Sequence, residues 1–81
     1  MHSYKDMLQE FLTQRVRLYR LKYNYSQETM SVFLRISARA YFDLEHGNHV
    51  FSACSLIFFL TLLTEDELRQ FLRDFETYIS E

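Results

Sequence analysis

The chain contains no proline, a single glycine and a single cysteine in 81 residues. With so few breakers, and with apolar residues recurring at helical spacing, the reading is an all-helical chain. One cysteine, Cys54, excludes an intramolecular disulfide. It sits inside an apolar run and reads as a small buried hydrophobe, in a protein suited to a reducing cytosol. His2, His46 and His49 have no metal-ligand spacing, so no metal is expected. No long apolar run is present. A helix that crosses a bilayer needs roughly 20 apolar residues. The run Leu56–Leu63 is far shorter. The first residues, Met1–Asp6, lack the apolar core of a signal peptide, and the expected location is cytoplasmic. Enzyme signatures are absent too: no Gly-rich phosphate loop, no Ser/His/Asp spacing, no HExxH and no convergent carboxylate pair. Neither an enzymatic activity nor a cofactor is therefore expected. Glu65-Asp66-Glu67 is accounted for by helix capping and the helix dipole.

Apolar residues are plentiful. The composition is 48% hydrophobic and 17% aromatic. That much apolar surface argues against disorder. The length suits one domain spanning residues 1–81. A domain of this size buries only about 60% of its unfolded surface, so a partner subunit is a reasonable expectation. The net charge is -2. This is less basic than is usual for a nucleic-acid-binding domain. The charges are segregated, however. Arg15, Arg17, Arg20, Lys22, Arg35 and Arg39 lie in the first half, and Glu65, Asp66, Glu67, Asp74, Glu76 and Glu81 lie near the end. An acidic C-terminal part can mask a basic face in the sum.

Five helices are expected. The first runs from about Ser3 to Tyr23, with Tyr4, Met7, Leu8, Phe11 and Leu12 as one stripe that Val16, Tyr19 and Tyr23 continue. Asn24-Tyr25 breaks it, because asparagine tolerates the left-handed conformation. The stretch Ser26–Gly47 then reads as two short helices joined by a tight turn. Ser26 and Ser37 are good N-caps, and Gly47 can end the second helix. Met30, Leu34, Ile36, Tyr41 and Leu44 would turn inward, and Ser31 is small where the helices would cross. Ser52 caps the fourth helix, about Ala53–Leu63, which is apolar nearly all round and should be buried nearly all round. Thr64 and Glu67 form a capping box for the fifth, about Glu65–Ile79, with Leu68, Phe71, Leu72, Phe75 and Ile79 as its stripe.

Ser26-Gln27-Glu28, Met30-Ser31, Leu34, Ile36-Ser37 and Glu45-His46-Gly47 follow the helix-turn-helix pattern, in which the second helix enters the DNA major groove. Together with Val16-Arg17 and Tyr19-Arg20 before them, and Ser52, Leu56, Phe59, Leu60 and Leu63 after, they resemble the phage repressor and Cro-like (XRE-type) family. The resemblance covers residues 12–64, with an extended first helix and an added C-terminal helix, about residues 65–79, outside it. The chain departs from the pattern at the turn, where Arg35 stands in place of the family's usual glycine.

The resemblance implies a five-helix, lambda-repressor-like fold. It implies sequence-specific binding of a double-stranded DNA operator by a small transcriptional regulator of the repressor kind. Gln27 would reach a phosphate and can brace the third helix. Ser37, Ala38, Arg39 and Asp43 would face DNA, with Asn48 and His49 on the backbone beyond. Arg39 suits guanine O6 and N7. Asp43 either accepts from cytosine N4 or marks a surface that does not bind DNA, and Phe42 either folds back into the core or stacks on sugar. Arg20 and Glu45 match positions that form a buried salt bridge. A homodimer is expected, with Ile57, Phe58, Leu62, Phe71 and Phe75 at its interface. The fifth helix could instead fold back on the start of the first and on the fourth and close the monomer, or both arrangements could operate. The alternative function is the same fold used to bind a protein partner without DNA.

Overall fold

A computed structural model describes residues 3–81 of the chain; the readings that touch Met1 and His2 lie outside the described residues. Five helices follow one another: α1 (Tyr4–Lys22), α2 (Gln27–Leu34), α3 (Ala38–Glu45), α4 (Ala53–Leu62) and α5 (Glu65–Ser80). No strand occurs among the described residues. The radius of gyration is 12.3 Å. A folded domain of this length has a similar value, whereas an unfolded chain is far more extended.

Each helix starts on a hydroxyl. Ser3, Ser26, Ser37, Ser52 and Thr64 each accept a hydrogen bond from an amide in the first turn. Glu67 accepts in turn from the Thr64 amide and completes the capping box. Three of the helices are followed by a left-handed residue: Asn24 (φ 58°), Arg35 (φ 59°) and Gly47 (φ 73°). In each case the next amide reaches back to a carbonyl five residues earlier: Tyr25 to Arg20 at 2.9 Å, Ile36 to Ser31 at 3.0 Å, Asn48 to Asp43 at 2.8 Å. This is the Schellman closure, which satisfies carbonyls the helix leaves unpaired. A non-glycine residue in this conformation costs about 1 kcal/mol. The chain tolerates that cost at Asn24 and Arg35.

The core has two parts. Met30, Leu34, Tyr41 and Leu44 are fully buried where α2 packs on α3 and α4 and α3 packs on α1, and Ser31 is buried beside them. Ile36, expected among them, is only half-buried because it lies in the turn after Arg35. The second part is aromatic. The Phe11 ring on α1 lies 5.2 Å from Phe71, 5.2 Å from Phe75 and 5.4 Å from Tyr78, all on α5. Phe71 also meets Phe59 of α4 edge-on, at 5.9 Å.

The structure departs from several expectations. Phe71 and Phe75 are not free for a dimer interface, because α5 folds back on α1 and both rings pack inside the monomer. Cys54 is exposed rather than buried. It lies with Ala53 and Ile57 on an exposed side of α4, a helix that is not buried nearly all round as expected: only Ser55 and Phe59 of that helix are buried, and its packing partner α2 covers one side. Tyr4 at the start of the α1 stripe is also exposed, since α1 extends past the elements that pack on it. Of the remaining proposed interface residues, Ile57 is exposed, while Phe58 and Leu62 are half-buried against the core.

Phe11→Ala removes the ring that three α5 aromatics share. It should cost about 3–5 kcal/mol, read as a lower urea midpoint. Tyr4→Ala, on the exposed end of the same helix, should change stability by no more than about 0.5 kcal/mol.

Candidate functional site

Glu45, at the C-terminal end of α3, is the one carboxylate among the buried polar residues of the described chain. Arg20, in the last turn of α1, faces it. Arg20 donates from Nε to Oε2 at 2.6 Å and from Nη2 to Oε1 at 3.1 Å, and the side chains are 17% and 4% exposed. This bidentate fork matches guanidinium to carboxylate geometry. The Tyr41 hydroxyl, one turn earlier on α3, also donates to Oε2. Gln27, at the start of α2, donates from Nε2 to Oε1 at 3.2 Å. One carboxylate therefore holds side chains from α1, α2 and α3. A remaining nitrogen of Arg20 donates to the Tyr25 carbonyl at 3.2 Å and fixes the corner between α1 and α2. No buried side-chain polar atom among the described residues lacks a partner.

The charges follow from this arrangement. Burial pushes the Glu45 carboxyl up, but the bonds from Arg20, Tyr41 and Gln27 outweigh it and hold the group below the ordinary 4.5. Burial, and then the bond to Glu45, push the Tyr41 phenol well above its ordinary value. The Arg20 guanidinium is raised by its bond to Glu45.

The outward side of α3 carries the residues expected to face DNA. Ser37 and Ala38 are not buried, and the Ser37 Oγ accepts from the Ala40 amide at 3.0 Å. The Arg39 side chain is 83% exposed, and its Nε lies 3.4 Å from Asp43. Phe42 does not fold into the core: it is exposed, with its ring stacked on His46 at 4.0 Å. Asn48 and His49 are exposed in the loop after α3. His49 lines a shallow pocket of about 320 Å³ whose other wall is Gln9, Glu10, Thr13 and Gln14 of α1. The structure thus places Ser37, Ala38, Arg39 and Asp43 together at and along α3, with Asn48 and His49 past its end. Gln27 is turned toward Glu45.

Some positions that shape this region are not evident in the sequence. Gln9 clamps the loop before α4, accepting from the Phe51 amide at 2.7 Å and donating to its carbonyl at 3.5 Å. Across the other side of α1, Arg15 meets Asp74 at 2.8 Å and Lys22 meets Glu67 at 2.7 Å. These pairs border an open groove of about 300 Å³ floored by Leu18, Tyr19, Phe59, Leu63 and Phe71. The bonds from Lys22, the Thr64 amide and Tyr23 pull the Glu67 carboxyl down to about 2. No signal in the sequence pairs residues so far apart. Among the described residues there is no cluster of metal ligands and no helix long and apolar enough to cross a membrane. No family model, curated protein or solved structure matches the chain.

Breaking half of a buried ion pair leaves the other charge uncompensated. Glu45→Ala should therefore cost about 3–5 kcal/mol. The depressed carboxyl contributes stability above its unfolded value near 4.5, and that contribution is lost as pH falls through the folded value. Urea titrations from about pH 6 toward about pH 3 should thus show a shallower loss of stability in the variant than in the wild type.

Proposed function

We propose that the chain is a DNA-binding regulator of the helix-turn-helix kind, with α2 lying across the backbone and α3 in the major groove. The observation that supports this reading is the set of bonds made by Glu45. It ties the C-terminal end of α3 to α1 and to the first residue of α2, leaving Ser37, Ala38 and Arg39 outermost. A recognition helix works in this way: its N-terminal residues reach base edges while the rest of the domain keeps its angle fixed. The Arg35 corner serves the same end, because its left-handed turn closes α2 and releases the chain into the Ser37 cap.

In this reading Arg39 reads a guanine edge, and Asn48 and His49 meet phosphates beyond the end of α3. The Gln27 amide braces Glu45, so its contribution to DNA is through the positioning of α3. The protein acts as a homodimer, two copies of α3 reading the halves of a palindromic operator. Ile57 and Phe58, with Ala53 and Cys54 beside them, form an apolar surface on α4 that suits the contact between copies. Leu62 borders it from the core side.

A second reading has an observation of its own. The outward face of α3 is close to neutral, since Asp43 offsets Arg39 and the Phe42 ring is exposed. A protein partner would suit such a face. Salt dependence separates the two readings. DNA binding must weaken steeply as salt is added, because phosphate contacts release counterions.

Wild-type protein should bind duplex DNA at low ionic strength with that dependence, and Arg39→Ala should cost about 1–3 kcal/mol and relax specificity at one base pair. Binding that is absent at low salt refutes the DNA reading. Sedimentation at micromolar concentration should show a dimer that Phe58→Glu converts to monomer. A wild-type monomer, indifferent to that change, refutes the interface on α4.

A further inference from the structure

Asp43 is the residue that fits a DNA surface least well, since a carboxylate repels phosphates. Its surroundings give it a task. Arg39 and Asp43 are one turn apart on α3, and the Arg39 Nε lies 3.4 Å from both carboxylate oxygens. Helix stability does not account for the pair. Arg39 is near the N-terminal end of α3 and Asp43 is in its last turn, where the helix dipole disfavours each charge. The reverse order would support the helix better. The Arg39 side chain is 83% exposed while that of Asp43 is 27% exposed, so the carboxylate sits at the base and the guanidinium extends outward from it.

We infer that Asp43 is a positioning residue that holds Arg39 for guanine recognition. The inference rests on the DNA reading proposed above. A guanidinium carries its N–H donors in a fixed plane. Contact through Nε engages one side of the plane and leaves both terminal nitrogens open. Those two nitrogens match guanine O6 and N7, which a bidentate arginine reads in the major groove. A free arginine of this exposure samples many rotamers and loses that freedom on binding. An arginine already held loses less. Asp43 also keeps the guanidinium from being captured by a phosphate, where it would add affinity without sequence information.

Selection from a random duplex pool with the wild-type protein gives the preferred site. Arg39→Ala, Asp43→Ala, Asp43→Glu and the double variant are then compared by fluorescence anisotropy on that site and on single-base-pair changes. Arg39→Ala should remove preference for guanine at one base pair. Asp43→Ala should lower preference at that same base pair by about tenfold, with binding to unrelated DNA unchanged or tighter. Asp43→Glu, which keeps a carboxylate within reach, should recover much of it. The double variant should be no less selective than Arg39→Ala alone, as expected if Asp43 acts only through Arg39. The inference is overturned if Asp43→Ala tightens all sequences equally and leaves the guanine preference intact. It is equally overturned if the Arg39→Ala protein retains a cytosine preference that Asp43→Ala then abolishes, because Asp43 would then read a base directly. Wild-type protein that selects no sequence and binds no DNA overturns the DNA reading itself, and this inference with it.

Discussion

The fold depends on one buried carboxylate. Glu45 closes α3, and through Arg20, Gln27 and Tyr41 it joins that helix to α1 and α2. A charge in this position is costly to desolvate, and it is held because those three side chains donate to both of its oxygens. The interaction is also directional. Apolar contacts among Met30, Leu34, Tyr41 and Leu44 would tolerate small rotations of α3, whereas a bidentate fork does not. The constraint is concentrated at the C-terminal end of α3, and it fixes the angle at which the outward N-terminal end is presented.

The corners reinforce that angle with little glycine. Three helices close by the same Schellman arrangement, yet only Gly47 is a residue that accepts it freely. At Asn24 a short polar side chain tolerates the conformation. At Arg35 the strain is offset in part by a contact of its own, since the guanidinium lies 4.3 Å over the Phe58 ring. That contact links the turn between α2 and α3 to α4, and so to the apolar surface around Ile57.

Local features are legible in the sequence because their signals are local. Hydroxyl caps at Ser26, Ser37, Ser52 and Thr64 fall where amides of a first turn need an acceptor. Left-handed corners fall at Asn24 and Gly47, residue types that accept that conformation, whereas Arg35 carries no such local signal and its left-handed turn is seen only in the structure. The inward residues Met30, Leu34, Tyr41 and Leu44 follow from helical spacing. The Arg20–Glu45 pair is expected only through a family resemblance, since residues so far apart in the chain carry no mutual signal. What covers an apolar face is not legible at all. Periodicity marks Phe71, Phe75 and Cys54 as apolar on their helices, but the direction in which the helices pack decides which are covered. α5 returns to α1, so Phe71 and Phe75 pack inside the monomer, while Cys54 lies on the exposed side of α4. The clamp of Gln9 on Phe51 and the pairing of Arg15 with Asp74 are hidden for the same reason.

The Glu45 bonds hold α3 so that Ser37, Ala38 and Arg39 stay outermost, and contact of that face with DNA is what the proposed function requires. Amide NMR of labelled protein titrated with duplex DNA at low salt tests it most directly, because it reads every helix at once. If α3 reads DNA, shifts should concentrate between Ser37 and Asp43 and at the loop containing Asn48 and His49, with α5 unaffected. Spectra that do not change, or that change only along α4 around Ile57 and Phe58, would contradict it.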